Sequence, residues 1–267
     1  MTAPIDLTAA LYAQRSKPRG DEADAHVADL YGCDRATWYR RNGETPAPFS
    51  QTKLAQFAIG NGYEREVGDT LRAAGYRVRI DEDVTIFGLT GHPDIIVMDA
   101  PSPGELIAVD DLRDFLEIAE PKPGLVIEVK TTEARKPKTP LEIDKAYVGI
   151  EGAPDPGDNP CPPHYAIQAA TYALAVGAPR AKVLVKYAGT HDEREWDIDP
   201  EAWRPVIERR AAEIHARTFA GAPIPPAVPD ALAPWGCAYC DWRMCERNPN
   251  YVEPAVEAVA AFAEFSE

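Results

Sequence analysis

Residues 125–131, reading LVIEVKT, constrain the fold more than any other part of the chain. The run is short, rich in β-branched residues and apolar at successive positions, so it reads as a strand covered on both faces. A strand covered on both faces needs a layer on each side, which makes the chain α/β with helices against a sheet. Side chains two apart on a strand share a face. Glu128 and Lys130 therefore point one way and Val129 the other. An acid and a base on one face of such a strand are costly unless they are paired or used.

The flanking sequence supplies the layers. Residues 26–43 read as a short helix pair carrying Cys33, Arg35, Arg40 and Arg41. Residues 50–75 read as a long amphipathic helix, with Leu54, Phe57, Ala58, Val67, Leu71 and Ala74 near one face. Gly60, Gly62 and Gly68 weaken that helix by ~1 kcal/mol each and let something approach closely. The period then changes to two through Tyr76, Val78, Ile80, Val84 and Ile86, and 92–98 is a further strand. These predict an antiparallel meander with turns at 81–83 and 88–91. Residues 100–123 form an inserted loop, and 133–162 hold no convincing long element and read as a mobile loop. Residues 163–177 predict a helix stopped by Gly177, 181–187 a buried strand, 199–219 a helix and 253–265 a last helix. The economical architecture is one α/β domain over 1–267.

The formal net charge of −15 excludes a protein that holds DNA by bulk positive charge, but not an enzyme with a local basic groove. No apolar run reaches the ~18 residues a membrane span needs, and the first residues do not read as a secretory signal. Five cysteines, an odd number in a chain of 267 residues, point to a reducing, cytoplasmic compartment.

Asp94 opens a strand just after a Gly-x-Pro corner. If that strand neighbours 125–131, Asp94, Glu128 and Lys130 converge. Two carboxylates suit a hard cation, Mg²⁺ or Mn²⁺, which activates water and offsets phosphoryl charge. The lysine would orient the water. This is the chemistry of metal-assisted phosphodiester hydrolysis.

The order of motifs is Gly60-x-x-Tyr63-Glu64, then Gly91-His92-Pro93-Asp94, then Ile127-Glu128-Val129-Lys130, then Gln168-x-x-x-Tyr172. It resembles the PD-(D/E)xK nuclease superfamily, in particular the RecB-like branch that includes the CRISPR-associated exonucleases. The resemblance implies a restriction-endonuclease-like core, a mixed central sheet flanked by helices, over 50–220. It implies metal binding by Asp94 and Glu128, water activation by Lys130, and support and DNA contact by Gln168 and Tyr172. Many members place a His on the first helix as a further ligand; this chain has none there, and Glu64 is the candidate third metal ligand. The implied activity is exonucleolytic cleavage of single-stranded DNA ends, 5′→3′, in recombination, replication or end processing, in a bacterial or phage setting. A separate helicase or recombinase would be its partner, since no P-loop is present. The competing reading is a non-catalytic DNA- or partner-binding module on a degenerate nuclease fold.

Cys237, Cys240 and Cys245 form C-x2-C-x4-C. Thiols this close point to a soft metal and leave one ligand to find, Cys33 or Cys161. Spacing alone leaves zinc and iron–sulfur both open. The iron–sulfur members of the RecB-like branch split their cysteines one to three around the core. The resemblance therefore implies a [4Fe–4S] cluster on Cys33, Cys237, Cys240 and Cys245, clamping 26–45 to 233–250. For DNA, Arg35, Arg40, Arg41, Arg135, Lys136, Lys138, Lys145, Lys182 and Lys186 form the basic pool, with Trp38 and Tyr39 as stacking candidates.

Overall fold

The computed structural model describes residues 25–80, 82–99, 121–132, 150–187, 192–226, 237, 240 and 242–248. The inserted loop over 100–120, the basic stretch 133–149 and the helix expected at 253–265 lie outside the described residues.

A 3₁₀ turn, Val27–Tyr31, leads into α1, Asp34–Arg41. These are the two short helical pieces expected there. Helix α2, Gln51–Ala73, is capped by Ser50, whose side chain accepts the Lys53 N–H at 3.1 Å. Helix α3, Pro163–Val176, has Pro163 in its first turn and stops at Gly177, which takes φ 72°. Helix α4, Pro200–Thr218, is capped by Asp199. No helix among the described residues is long and apolar enough to cross a membrane.

The strands are β1 (Arg77–Arg79), β2 (Val84–Ile86), β3 (Leu89–Gly91), β4 (Ile95–Met98), β5 (Pro123–Thr132), β6 (Ala181–Tyr187) and β7 (Asp192–Ile198). Five make one sheet in the order β1-β4-β5-β6-β7. Only β5 and β6 run parallel, so the sheet is mixed, as the nuclease-like core requires. The LVIEVKT strand is at its centre.

The expected meander does not form. Strand β1 pairs directly with β4, Arg77 opposite Met98, and β2–β3 leave the sheet as a separate hairpin. Phe87 and Gly88 both have positive φ at its turn, 51° and 73°, the conformation a two-residue hairpin needs. The hairpin leaves because Leu89 is needed elsewhere: it is fully buried in the core with Val27, Leu30 and Tyr172. Strand β7 is not legible in sequence. DEREWDI is mostly charged, and only Trp196 and Ile198 of this edge strand are buried.

Each face of the sheet has its own core. Val126, Val183, Val185 and Ile96 pack with α3, α4 and the 3₁₀ turn. Ile95, Val97, Ile127 and Val129 pack with Tyr63 of α2. A third cluster joins the two ends of the described chain through Tyr39, Trp242 and Cys245. The Tyr39 and Trp242 rings are 5.4 Å apart, and the Arg35 guanidinium binds Glu246 at 2.6 Å and the Pro225 carbonyl at 2.9 Å.

Packing, not a metal cluster, therefore makes this junction. Among the described residues no group of three or more His, Cys, Asp or Glu is arranged to hold a metal ion. The [4Fe–4S] cluster expected on Cys33, Cys237, Cys240 and Cys245 is thus overturned. Of the four thiols, Cys245 is packed against the rings and accepts from Arg35 Nη1 at 3.8 Å. Burial raises the Cys237 thiol and pushes Cys240 up to about 11, which keeps both protonated at neutral pH. Cys161 is a buried small hydrophobe of the main core. Trp242→Ala is expected to destabilise the protein by about 3 kcal/mol, the usual cost of emptying an aromatic site. Cys33→Ala, which removes no side-chain cap, is expected to cost under ~1 kcal/mol. Urea unfolding measures both; a larger loss from Cys33→Ala would contradict a packed junction.

Candidate active site

Strand alternation puts Glu128 and Lys130 on the sheet face under α3, because Val126 on that face lies in the α3 core. The β4–β5 register does the rest. Ile95 opposes Ile127, so one residue further Asp94 lies beside Glu128. Asp94 Oδ2 accepts the Val129 N–H at 2.7 Å, which fixes its carboxylate to the middle strand. Lys130 Nζ donates to Glu128 Oε1 and lies 3.8 Å from Asp94 Oδ2. The structure thus brings together the three residues singled out in sequence.

Their exposures differ. Glu128 is fully buried, while Asp94 and Lys130 keep 15% and 24% of their side chains exposed. Lys130 and Asp94 are therefore the groups solvent meets first. Glu128 Oε2 is buried with no hydrogen-bond partner among the described residues. Burial, helped by the Asp94 charge, pushes the Glu128 carboxyl up to about 8 despite the adjacent ammonium. The two carboxylates in turn hold Lys130 well above its ordinary value, so it stays charged.

Helix α3 roofs the site. Gln168 and Tyr172 are one turn apart on one face, and both are buried. Gln168 Nε2 donates to the Tyr172 hydroxyl at 3.4 Å, and the Tyr31 hydroxyl donates to Gln168 Oε1 at 3.2 Å. Burial raises the hydroxyls of Tyr31, to about 12, and of Tyr165 and Tyr172. Lys130 and Glu128 act on all three, so these groups share one environment. Tyr31 and Tyr165 were missed in sequence. Tyr165 was within reach, since 165, 168 and 172 make a helical stripe; Tyr31 arrives from 137 residues away.

Gly91 explains the Gly-His-Pro-Asp corner. A Cβ there would stand 2.7 Å from Tyr172 Cε1 and 2.9 Å from its hydroxyl. The bare backbone is what lets the α3 ring close over the strand carrying Asp94. Gly91→Ala is expected to displace Tyr172, lower the melting temperature by several degrees and reduce any activity of the site about tenfold. Wild-type stability in Gly91→Ala would contradict this contact.

Other expectations need correction. The Mg²⁺ or Mn²⁺ site expected on Glu64, Asp94 and Glu128 is overturned, because these residues make no metal-holding group. The reason is visible: the Lys130 ammonium closes on Glu128, and Asp94 is tied to backbone. Glu64 is half-buried on α2 and reaches the site through its charge, which adds to the rise at Glu128. His92 turns away to Asp83, 2.7 Å off. The basic pool is largely committed. Arg40 pairs with Asp29, and Arg41 donates to Thr218 Oγ1 at 3.1 Å. Lys182 and Lys186 emerge on the opposite sheet face, Lys182 against Glu195 and Asp197 and Lys186 against Glu193 and the Tyr63 ring. Trp38 is held by the Ala222 carbonyl at 2.6 Å, and Tyr39 is buried. Arg135, Lys136, Lys138 and Lys145 lie outside the described residues.

No family model matches the chain, and no curated protein is similar enough in sequence to be matched. Among solved structures it is similar to SSO0001, at 14% identity over 91% of this chain and 95% of that one, with a TM-score of 0.49. It is also similar to an alkaline exonuclease, LHK-Exo, from Laribacter hongkongensis, at 13% identity over 78% and 91% of the two chains, TM-score 0.38. The complex of LHK-Exo with dAMP gives 14% identity, 78% and 93% coverage and a TM-score of 0.39. These are likenesses of overall architecture and say nothing of individual residues.

Proposed function

We propose that the chain is a nuclease that hydrolyses phosphodiester bonds at Asp94, Glu128 and Lys130. One observation carries the reading. The Lys130 ammonium lies against two carboxyl groups, Asp94 and the fully buried Glu128, and the inner oxygen, Glu128 Oε2, has no partner among the described residues. Structural ion pairs on a central strand do not need a second carboxylate and leave no orphan oxygen.

In this reading the Lys130 ammonium offsets the charge that develops on the scissile phosphate and holds the attacking water. The carboxylate pair takes the water's proton as oxygen attacks phosphorus, and the leaving oxygen departs with a proton from solvent. Gln168 and Tyr172 hold the roof in register, and Glu64 adds negative potential at the back. The substrate is DNA, cut from single-stranded ends in the 5′→3′ direction, as the resemblance to the RecB-like branch implies.

The second reading is a DNA- or partner-binding module that does not cut. What favours it is the closure of Lys130 onto Glu128, which engages the ammonium without substrate. A panel of 5′- and 3′-labelled single- and double-stranded DNA and RNA separates the two, run both in EDTA and with added Mg²⁺. Wild-type cleavage that starts at 5′ ends of single-stranded DNA is the expected result. Tight binding with no cleavage in any buffer would favour the binding module.

A further inference from the structure

The first three turns of α2 project from the fold. Between residues 51 and 62 only Leu54 is buried. Phe57 and Ile59 are 45% and 60% exposed there, and Phe49 just before the helix is 39% exposed. The Phe49 and Phe57 rings meet edge to face at 5.4 Å, and Lys53 Nζ lies 4.5 Å from the first ring centre and 5.9 Å from the second. Two exposed rings with an ammonium beside them are the elements of a base-stacking platform, with the cation placed for a phosphate.

The glycines of the same helix are a separate observation. Gly60 and Gly62 each weaken a helix by about as much as any non-proline residue can, and no packing requires them. A Cβ at Gly62 would meet nothing within 4 Å, and one at Gly60 would make only an ordinary contact with Thr131 Oγ1 at 3.6 Å. Bare helix backbone is retained where another backbone comes close. Lys53, Phe57, Gly60 and Glu64 are spaced four, three and four apart, so they form one stripe along the helix. Its inner end comes near the site from the far side of the sheet: Gly60 faces Thr131 on the α2 face of β5, one residue beyond Lys130, and the Glu64 charge acts on Glu128. The stripe is about 16 Å long, from the rise per residue of a helix.

We propose that this stripe is a single-strand track. Unpaired bases stack on Phe49 and Phe57, a phosphate meets Lys53, and the strand's backbone follows the stripe past Gly60 and around the end of β5 toward Lys130. The proposal rests on the nuclease reading for its direction of travel. It commits to unpaired nucleotides because stacking needs open base faces, which a duplex does not offer at its side.

The test is fluorescence anisotropy with a labelled single-stranded oligonucleotide and its abasic counterpart, beside cleavage of the same oligonucleotide. The proteins are wild type, Phe49→Ala/Phe57→Ala, Phe57→Leu and Lys130→Ala. Wild type is expected to bind the normal strand about tenfold or more tighter than the abasic one, from the usual worth of base–aromatic stacking. The double alanine variant should lose that preference and raise KM while keeping kcat. Phe57→Leu, which keeps apolar bulk without a ring, should lose part of it. Lys130→Ala should keep the preference for the normal over the abasic strand and not cut. Equal binding of normal and abasic strands by wild type, or an unchanged preference in the double variant, would overturn the track and leave the nuclease reading standing. Base-dependent binding without cleavage by wild type would retain the track and remove the nuclease reading. A patch that captures a protein instead would give no base dependence, and so would also overturn the proposal.

Discussion

Lys130→Ala is expected to reduce cleavage by about 10²–10³-fold, the usual loss when one preorganised charge-stabilising donor is removed. The ammonium is the only cation on this face of the sheet, among the described residues, that touches either carboxylate. Its loss also leaves Asp94 and Glu128 as like charges side by side. The buried one would protonate more readily still. The stability cost depends on pH for that reason. Well above pH 8, once that carboxyl ionises, the variant holds an uncompensated buried charge and is expected to lose about 3 kcal/mol. At pH 5 a proton replaces the lysine and the loss should be far smaller. Chemical denaturation at the two pH values measures this, and an equal loss at both would contradict the coupling.

The second large effect is at Glu128. With its carboxyl pushed up to about 8, it is mostly protonated at neutral pH. If hydrolysis needs the carboxylate, the rate should rise nearly tenfold per pH unit up to about 8 and level off above. Glu128→Gln should lose about 10²-fold or more in rate and flatten that profile. Stability should move the other way. A carboxyl raised in the folded state contributes stability that is fully present below its unfolded value of 4.5 and is lost as pH rises toward about 8. Wild type should therefore lose melting temperature from pH 5 to pH 9, and Glu128→Gln should lose less. Lys130, raised above 10.5, titrates outside that window and does not reverse the sign. A wild-type rate that is flat or falling from pH 6 to pH 9 would remove Glu128 from the reaction.

The pairing of Glu128 with Lys130 was legible because alternation along one strand is a local rule. Asp94 was legible only as a condition, that its strand be the neighbour, and the register Ile95 opposite Ile127 supplies it. Helices α2, α3 and α4 were legible to within two residues at each end, since periodicity and, for α3, Gly177 mark them locally. Strand β7 was not, because an edge strand exposed along most of its length needs no apolar alternation. Nor was the fate of the basic residues. Only the parallel register that pairs Glu128 with Val183 shows that Lys182 and Lys186 emerge on the far face. The cysteines show the limit of spacing. Three thiols within nine residues signal proximity in the chain, and the fold brings Cys33 within electrostatic reach of them, but among the described residues they make no metal-holding group, and Arg35 and the Tyr39–Trp242 packing share that corner. Gly91 carries the opposite lesson: its role is set by a ring 81 residues further on, which no local rule reveals.

The most direct measurement is a cleavage time course on end-labelled single-stranded DNA, with wild type and Lys130→Ala side by side in buffers with and without Mg²⁺. The expected result is stepwise loss of nucleotides with wild type in at least one buffer and no loss with the variant in either. Equal cleavage by the two proteins would contradict a hydrolytic site at Asp94, Glu128 and Lys130.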